Sequence, residues 1–262
     1  MSGTEQDTAA TDDAGTAAQS EAHGRRVRAM FAQVAGRYDV MNRLMTFGQD
    51  VRWRRFVIDR ADLRPGRRLL DLATGTGDLA FDALEHAGSL QVVGADFTVE
   101  MMRVGRRRPG ADRICWLGAD ALALPFADES FDAVIQGYLL RNLVDIPSAL
   151  SEQYRVLRPG GRIVVLETSP PPPSPVRPLV RAHMRYGIPL LSRLASGSPQ
   201  AYGYLLATTA RFRSPDELVT LLTAAGFEQV EWRSFMFGTQ AVHWARKPVG
   251  SAPGDTADAA RG

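Results

Sequence analysis

The sequence predicts an α/β fold: a mainly parallel sheet of seven strands, helices on both faces, and a helical insertion serving as a lid. Three observations predict it. Short apolar runs alternate with helically spaced segments from residue 69 onward, a glycine bend (Asp71-Leu-Ala-Thr-Gly-Thr-Gly-Asp78) follows the first run at once, and an acid, Asp96, ends the second. Alternation of this kind makes strand–helix–strand crossovers, and hence parallel strands covered on both sides. A strand running through a tight glycine turn into a helix is the Rossmann-like nucleotide corner.

Taken in order, residues 1–22 hold almost nothing to bury, and 249–262 have the same character. Both are expected to be disordered tails around one domain over 24–248. Val27, Met30, Phe31 and Val34 recur at helical spacing. Leu69–Ala73 is the first strand, and a helix opens near Asp78. Gln91–Ala95 is the second strand, Val99–Arg107 a helix, Ile114–Leu117 the third strand, Phe131–Ile135 the fourth, and Ile146–Val156 a helix. Pro159-Gly160-Gly161 turns the chain into a fifth strand, Arg162–Glu167. Pro170–Pro173, Pro175 and Pro178 break the pattern and lead into the insertion, 176–213. Pro215–Ala225 is a helix ended by Gly226, and Gln229–Phe235 with Gln240–Arg246 closes the sheet.

Bulk properties narrow the function classes. A net charge of +2 over 262 residues argues against a nucleic-acid partner held by electrostatics. The single cysteine, Cys115, excludes an internal disulfide and a cysteine-based zinc site. Within Arg-Ile-Cys-Trp-Leu it reads as a buried structural thiol. No stretch approaches the roughly 18 apolar residues of a membrane span, and the polar, acidic N-terminus is no secretory signal. The expectation is a cytoplasmic protein that at most touches a membrane surface. No metal site is expected.

The glycine bend lacks the Lys-Ser/Thr pair of a phosphate loop. Asp71 and Asp78 flank it instead. Two carboxylates repel a pyrophosphate but suit a cationic ligand. Asp96 stands where a carboxylate takes ribose hydroxyls, and Gly118-Ala119-Asp120-Ala121 follows the third strand, where a polar side chain can hold an adenine amino group. A nicotinamide dinucleotide is the competing ligand class.

These residues look like those of the class I S-adenosylmethionine-dependent methyltransferases. More closely, the chain resembles the menaquinone/ubiquinone biosynthesis C-methyltransferases, the UbiE/MenG family. Tyr38-Asp-Val-Met-Asn42, continuing to Trp53, is similar to that family's first signature, and Arg155-Val-Leu-Arg-Pro-Gly-Gly through Glu167-Thr-Ser169 to its second; Leu140-Arg141-Asn142 resembles its L-R-N. The resemblance implies S-adenosyl-L-methionine held by Asp71, Thr74, Gly75, Thr76, Gly77, Asp96, Phe97, Asp120, Ala121 and Gly137. It also implies a site role for Tyr38, Asp39, Arg141 and Asn142. Asp50 stands where the signature has His, Gln136-Gly137-Tyr138 replaces the usual residues before L-R-N, and Ala207 replaces a Glu.

The implied reaction is C-methylation of a prenylated hydroquinone ring, such as demethylmenaquinol. The alternatives are C- or O-methylation of another aromatic or polyketide metabolite, and a scaffold that binds the cofactor and transfers nothing. Arg141 can stabilise a phenolate or pair with Asp145, four residues on. Tyr38, Asp39 and Asn42 can form a lid or simply pack. Tyr202 and Tyr204 can line the ring pocket or pack, and His183 is expected at a surface or packing position rather than at the ring. Leu179, Val180, Met184, Ile188 and Leu190 with interleaved arginines fit a lid, a dimer surface or a contact with anionic lipid.

Overall fold

The computed structural model describes residues 22–190, 203–204, 207–209 and 212–249. Of the expected tails, 1–22 and 249–262, residues 1–21 and 250–262 lie outside the described residues, as do Leu191, Arg193, Leu194, Tyr202, Leu205 and Leu206 of the insertion; Ala22 is already helical.

Helices α1 (22–34), α2 (Tyr38–Met45) and α3 (Asp50–Arg60) precede the sheet. Then follow β1 (Arg68–Leu72), α4 (Asp78–Ala87), β2 (Gln91–Asp96), α5 (Val99–Gly105), β3 (Ile114–Gly118), β4 (Phe131–Gly137), α6 (Ile146–Val156), β5 (Leu157–Thr168), α7 (Arg177–Ala182), α8 (Pro215–Ala224), β6 (Glu228–Phe235) and β7 (Gln240–Arg246). The sheet order is β3-β2-β1-β4-β5-β7-β6, with β7 antiparallel to its neighbours. The chain steps outward from β1 to β3 and then returns to the other side of β1 at β4. Strand order therefore reverses between β1 and β4, and a crevice opens at their carboxyl ends.

Local chemistry sets the boundaries. Asp145 caps α6, its carboxylate accepting from Ser148 N at 3.0 Å and Ser148 Oγ at 2.6 Å. A Ser214–Glu217 capping box with Pro215 in the first turn starts α8. The fifth strand starts earlier than the sequence predicts. Gly160 N donates to Lys247 O, and Lys247 N to Gly161 O, each at 2.9 Å, so the Pro-Gly-Gly turn is tied into the sheet as an irregularity of β5.

Alternation along the strands makes two apolar layers. Leu70, Leu72, Val134, Leu150 and Phe227 fill one, and Trp53, Val57, Leu69, Ile135 and Val164 the other. Each full burial of such a side chain contributes about 1.5–3 kcal/mol before entropy. Cys115 departs from expectation: it is exposed, because β3 is the outermost strand and it is the other face that packs on the core, through Ile114 and the partly buried Trp116. The helix of α7 continues through one π turn at His183–Gly187. No helix among the described residues is long and apolar enough to cross a membrane.

Candidate active site

The bend after β1 needs left-handed backbone three times, at Ala73 (φ 58°), Gly75 (φ 56°) and Gly77 (φ 88°). Two acids brace it from within. Asp71 Oδ2 accepts from Thr74 Oγ1 at 2.6 Å and Ala80 N at 3.1 Å, while its Oδ1 is buried with no partner among the described residues. Asp96 Oδ2 accepts from Gly75 N at 2.8 Å and its Oδ1 from Thr98 N at 2.6 Å. Burial pushes the Asp71 carboxyl up to about 7, and burial also raises Asp96 and Asp39 above the usual carboxylate range.

The expectation that Asp71 and Asp78 together face a cation needs correction. Arg54 at 2.9 Å and Arg108 at 2.7 Å neutralise Asp78. The acids lining the cavity that no described arginine pairs with are Asp39, Asp71, Asp96 and Asp120.

A cavity of about 600 Å³ lies over the carboxyl ends of β1 and β4. It is lined by Asp71, Thr74, Gly75, Thr76, Asp96, Phe97, Asp120, Ala121 and Gly137 at one end, and by Tyr38, Asp39, Arg141 and Asn142 beside them. Gly77 shapes the loop without lining the cavity. Asp120 holds its own turn by accepting from Leu122 N at 2.9 Å. From α2, Asp39 accepts from Thr76 Oγ1 at 2.7 Å, so the N-terminal helices close directly on the glycine bend. His23 Nε2 donates to Asn142 O at 3.0 Å and completes that cover.

The other end is where sequence reasoning was most incomplete. Arg141 does not pair with Asp145, whose carboxylate is spent on capping α6. It pairs with Glu167 at the end of β5, and both side chains are almost wholly buried. Burial opposes the guanidinium's charge, but the Glu167 carboxylate outweighs it, so Arg141 is held above its ordinary value. The guanidinium carbon lies 4.8 Å from the Tyr138 ring centroid, and its Nε has no partner among the described residues. Glu167 was present in the second signature; what the sequence did not reveal is that β5 ends directly against the Leu140–Asn142 turn.

Asp50 lines the cavity, buried, accepting from Arg54 at 2.7 Å and Thr46 Oγ1 at 3.0 Å. Arg54 also bonds Asp82 at 2.6 Å. His183 lines the same cavity, its ring 5.3 Å from that of Phe47. Tyr204 donates to Asn142 Oδ1 at 3.4 Å. Phe47, Val144, Val176, Leu179 and Phe237 line the cavity and are also exposed, so its rim is apolar.

A seven-stranded sheet of this order, with a glycine bend braced by acids at the switch point, defines a class I S-adenosylmethionine-dependent methyltransferase. The chain belongs to the ubiE/COQ5 methyltransferase family, whose model matches residues 19–247. It is 48% identical over 226 residues to the ubiquinone/menaquinone biosynthesis C-methyltransferase UbiE of Desulfotalea psychrophila, covering 86% of this chain and 91% of that one. It is 45% identical to the demethylmenaquinone methyltransferase of Thermus thermophilus, covering 84% and 100%. The fold is similar to that of Haemonchus contortus phosphoethanolamine N-methyltransferase 2 solved with S-adenosyl-L-methionine, with a TM-score of 0.55 at 18% identity over 75% of this chain and 52% of that one.

The residues present fit this cofactor. A buried carboxylate oxygen without a partner, at the base of a cradle that excludes side chains, suits a ligand carrying positive charge. A pH-linked result is expected from Asp71. Its neutral form is the one the ligand-free fold favours, so its contribution to stability is full below about pH 4 and is lost as pH rises through about 7. A bound cation favours the ionised form. Cofactor binding should therefore release about half a proton at pH 7 and almost none at pH 9. Calorimetry in buffers of different ionisation enthalpy measures this. Release that persists in Asp71→Asn would mean another group is responsible.

Proposed function

We propose that this enzyme transfers a methyl group to a ring carbon of a prenylated hydroquinone, converting a demethylmenaquinol-type substrate to the methylated quinol. The observation that carries the reading is the Arg141–Glu167 pair. It sets a fixed cation at the wall of a cavity whose other end is the cofactor cradle and whose rim is apolar. S-adenosylmethionine supplies a methyl group already activated as a sulfonium, so the chain's task is chiefly placement. Arg141 stabilises negative charge on the ring oxygen once its proton has passed to solvent, which makes the adjacent carbon nucleophilic; after that carbon takes the methyl, its own hydrogen leaves as a proton and the aromatic ring is restored. Glu167 keeps the guanidinium at the wall. Tyr38, Asp39 and Asn42 close the cavity and exclude water, and Asp39 ties that closure to Thr76. The exposed apolar rim gives a prenyl tail a path out of the cavity and favours peripheral contact with a bilayer. The names of the relatives, which act in quinone biosynthesis, support the same substrate class.

The test is S-adenosylhomocysteine formation with an unmethylated prenyl naphthoquinol against a panel of simple phenols, the product's methyl located by NMR. Methyl on ring carbon of the quinol is expected. Turnover of a phenol but not the quinol, or methyl on oxygen, would shift the reading to a specialised aromatic methyltransferase. Cofactor binding without any transfer would leave a scaffold.

A further inference from the structure

Outside the active-site cavity, the described residues form a second groove, of about 550 Å³, along the outer side of α7 and the π turn that follows. Three arginines line it, Arg177, Arg181 and Arg185, together with Ser174 and Tyr186; no carboxylate does. None of the three is in an ion pair with a described residue, and Arg177 Nε is buried with no hydrogen-bond partner among the described residues. Cations left unpaired side by side repel one another, and a buried donor without an acceptor is costly. An arrangement of that kind is relieved by an anion.

The backbone holds the arginines together. Four residues at 3.6 per turn advance by about 40° beyond a full turn, so a stripe at every fourth position winds away from its groove. The wider turn at His183–Gly187 counters that drift between Arg181 and Arg185. The same helix turns Val176, Leu179, Val180, His183 and Met184 to the active-site cavity. One short helix thus separates an apolar mouth from an arginine-lined groove.

We propose that this groove is a phosphate-binding site, and that its ligand is the phosphate headgroup of an anionic lipid, which seats the cavity mouth on the bilayer. Guanidinium pairs suit phosphate oxygens. Leu179, Tyr186 and Leu190, exposed along the same helix, supply apolar side chains for the interface beside it. The proposal deepens the reading of a prenylated substrate, which must be drawn from a membrane.

The experiment uses the full chain and reads binding without turnover. Co-sedimentation is measured with phosphatidylcholine vesicles, with and without phosphatidylglycerol, and inorganic phosphate is titrated separately by calorimetry. The wild type should partition onto the anionic vesicles and far less onto the neutral ones. Replacing all three arginines with Gln should weaken partitioning roughly a hundredfold and leave turnover of a detergent-free, short-tail quinol within about twofold. Equal partitioning of the variant, or equal binding of wild type to neutral vesicles, would overturn the proposal, as would saturable inorganic phosphate binding with no vesicle binding. Failure of the substrate reading shows separately, as absent quinol turnover by a protein that still sediments with anionic vesicles.

Discussion

Glu167→Ala is expected to cost about 3–5 kcal/mol of stability, a fall of roughly 6–20 °C in Tm for a domain of this size, and to abolish methyl transfer. The reason is asymmetry. The Arg141 and Glu167 side chains are 5% and 1% exposed, so each has given up its water to be paired. Removing one partner leaves the other charged and dry. Glu167 also accepts from Thr168 N at 2.8 Å, so the end of β5 loses an anchor as well. Arg141→Met with Glu167→Leu separates structure from chemistry. Two apolar side chains of similar volume should recover most of the lost Tm, since a buried pair is often no more stabilising than well-packed hydrophobes. They should not recover transfer, because the proposed donor for the ring oxygen is gone, a loss of about 10²–10³ in kcat for one such donor. Thermal denaturation and S-adenosylhomocysteine formation on the same preparations decide it. Wild-type Tm for Glu167→Ala would mean that the pair is wet, and wild-type turnover by the double variant would remove Arg141 from the site.

That pair also marks where sequence reading stops. The elements were largely legible. Leu69–Ala73 against β1, Ile146–Val156 against α6 and Gln240–Arg246 against β7 differ by a residue or not at all, because apolar runs, caps and glycine stops are local signals. The residues proposed to cradle the cofactor come to one cavity for the same reason: Asp71 through Asp96 is one strand–turn–helix–strand unit. Local spacing misassigned Arg141, since Asp145 at four residues looks like a helical partner. The chain there is instead a single 3-10 turn, and Asp145 is the cap of the next helix. Cys115 failed differently. Its apolar neighbours Ile114 and Trp116 point to the opposite face from it, and nothing in a five-residue run says that the strand is at the sheet's edge. Ala73 was missed because alanine carries no turn signal, although at φ 58° it bears the strain that glycine avoids at Gly75 and Gly77.

Gly105→Ala should weaken S-adenosylmethionine binding by tenfold or more and lower stability by about 1–3 kcal/mol, the usual cost of overpacking. On helix propensity alone the sign would be reversed, since alanine is favoured over glycine by nearly 1 kcal/mol inside a helix. The surroundings decide against propensity. A Cβ at Gly105 would lie 2.6 Å from the Thr76 carbonyl oxygen and 2.5 Å from Trp116 Cη2. The first of these is backbone of the glycine bend and cannot swing aside. To make room, α5 must move away from the bend, and Thr76 carries with it the bond to Asp39 that closes α2 over the cavity. Arg108 also donates to that same carbonyl at 3.2 Å. One methyl group therefore acts on the cradle, the lid and the ion pair at Asp78 together. Gly36→Ala, in the 3-10 turn Ala35–Arg37, is the control: no described atom lies within 4 Å of its added carbon, so affinity should be unchanged and Tm equal to or slightly above that of the wild type. Calorimetric titration with the cofactor measures the difference. A Gly105→Ala protein that binds as tightly as wild type and melts higher would mean that α5 and the bend have room to part, and that the cradle's shape is not held from behind.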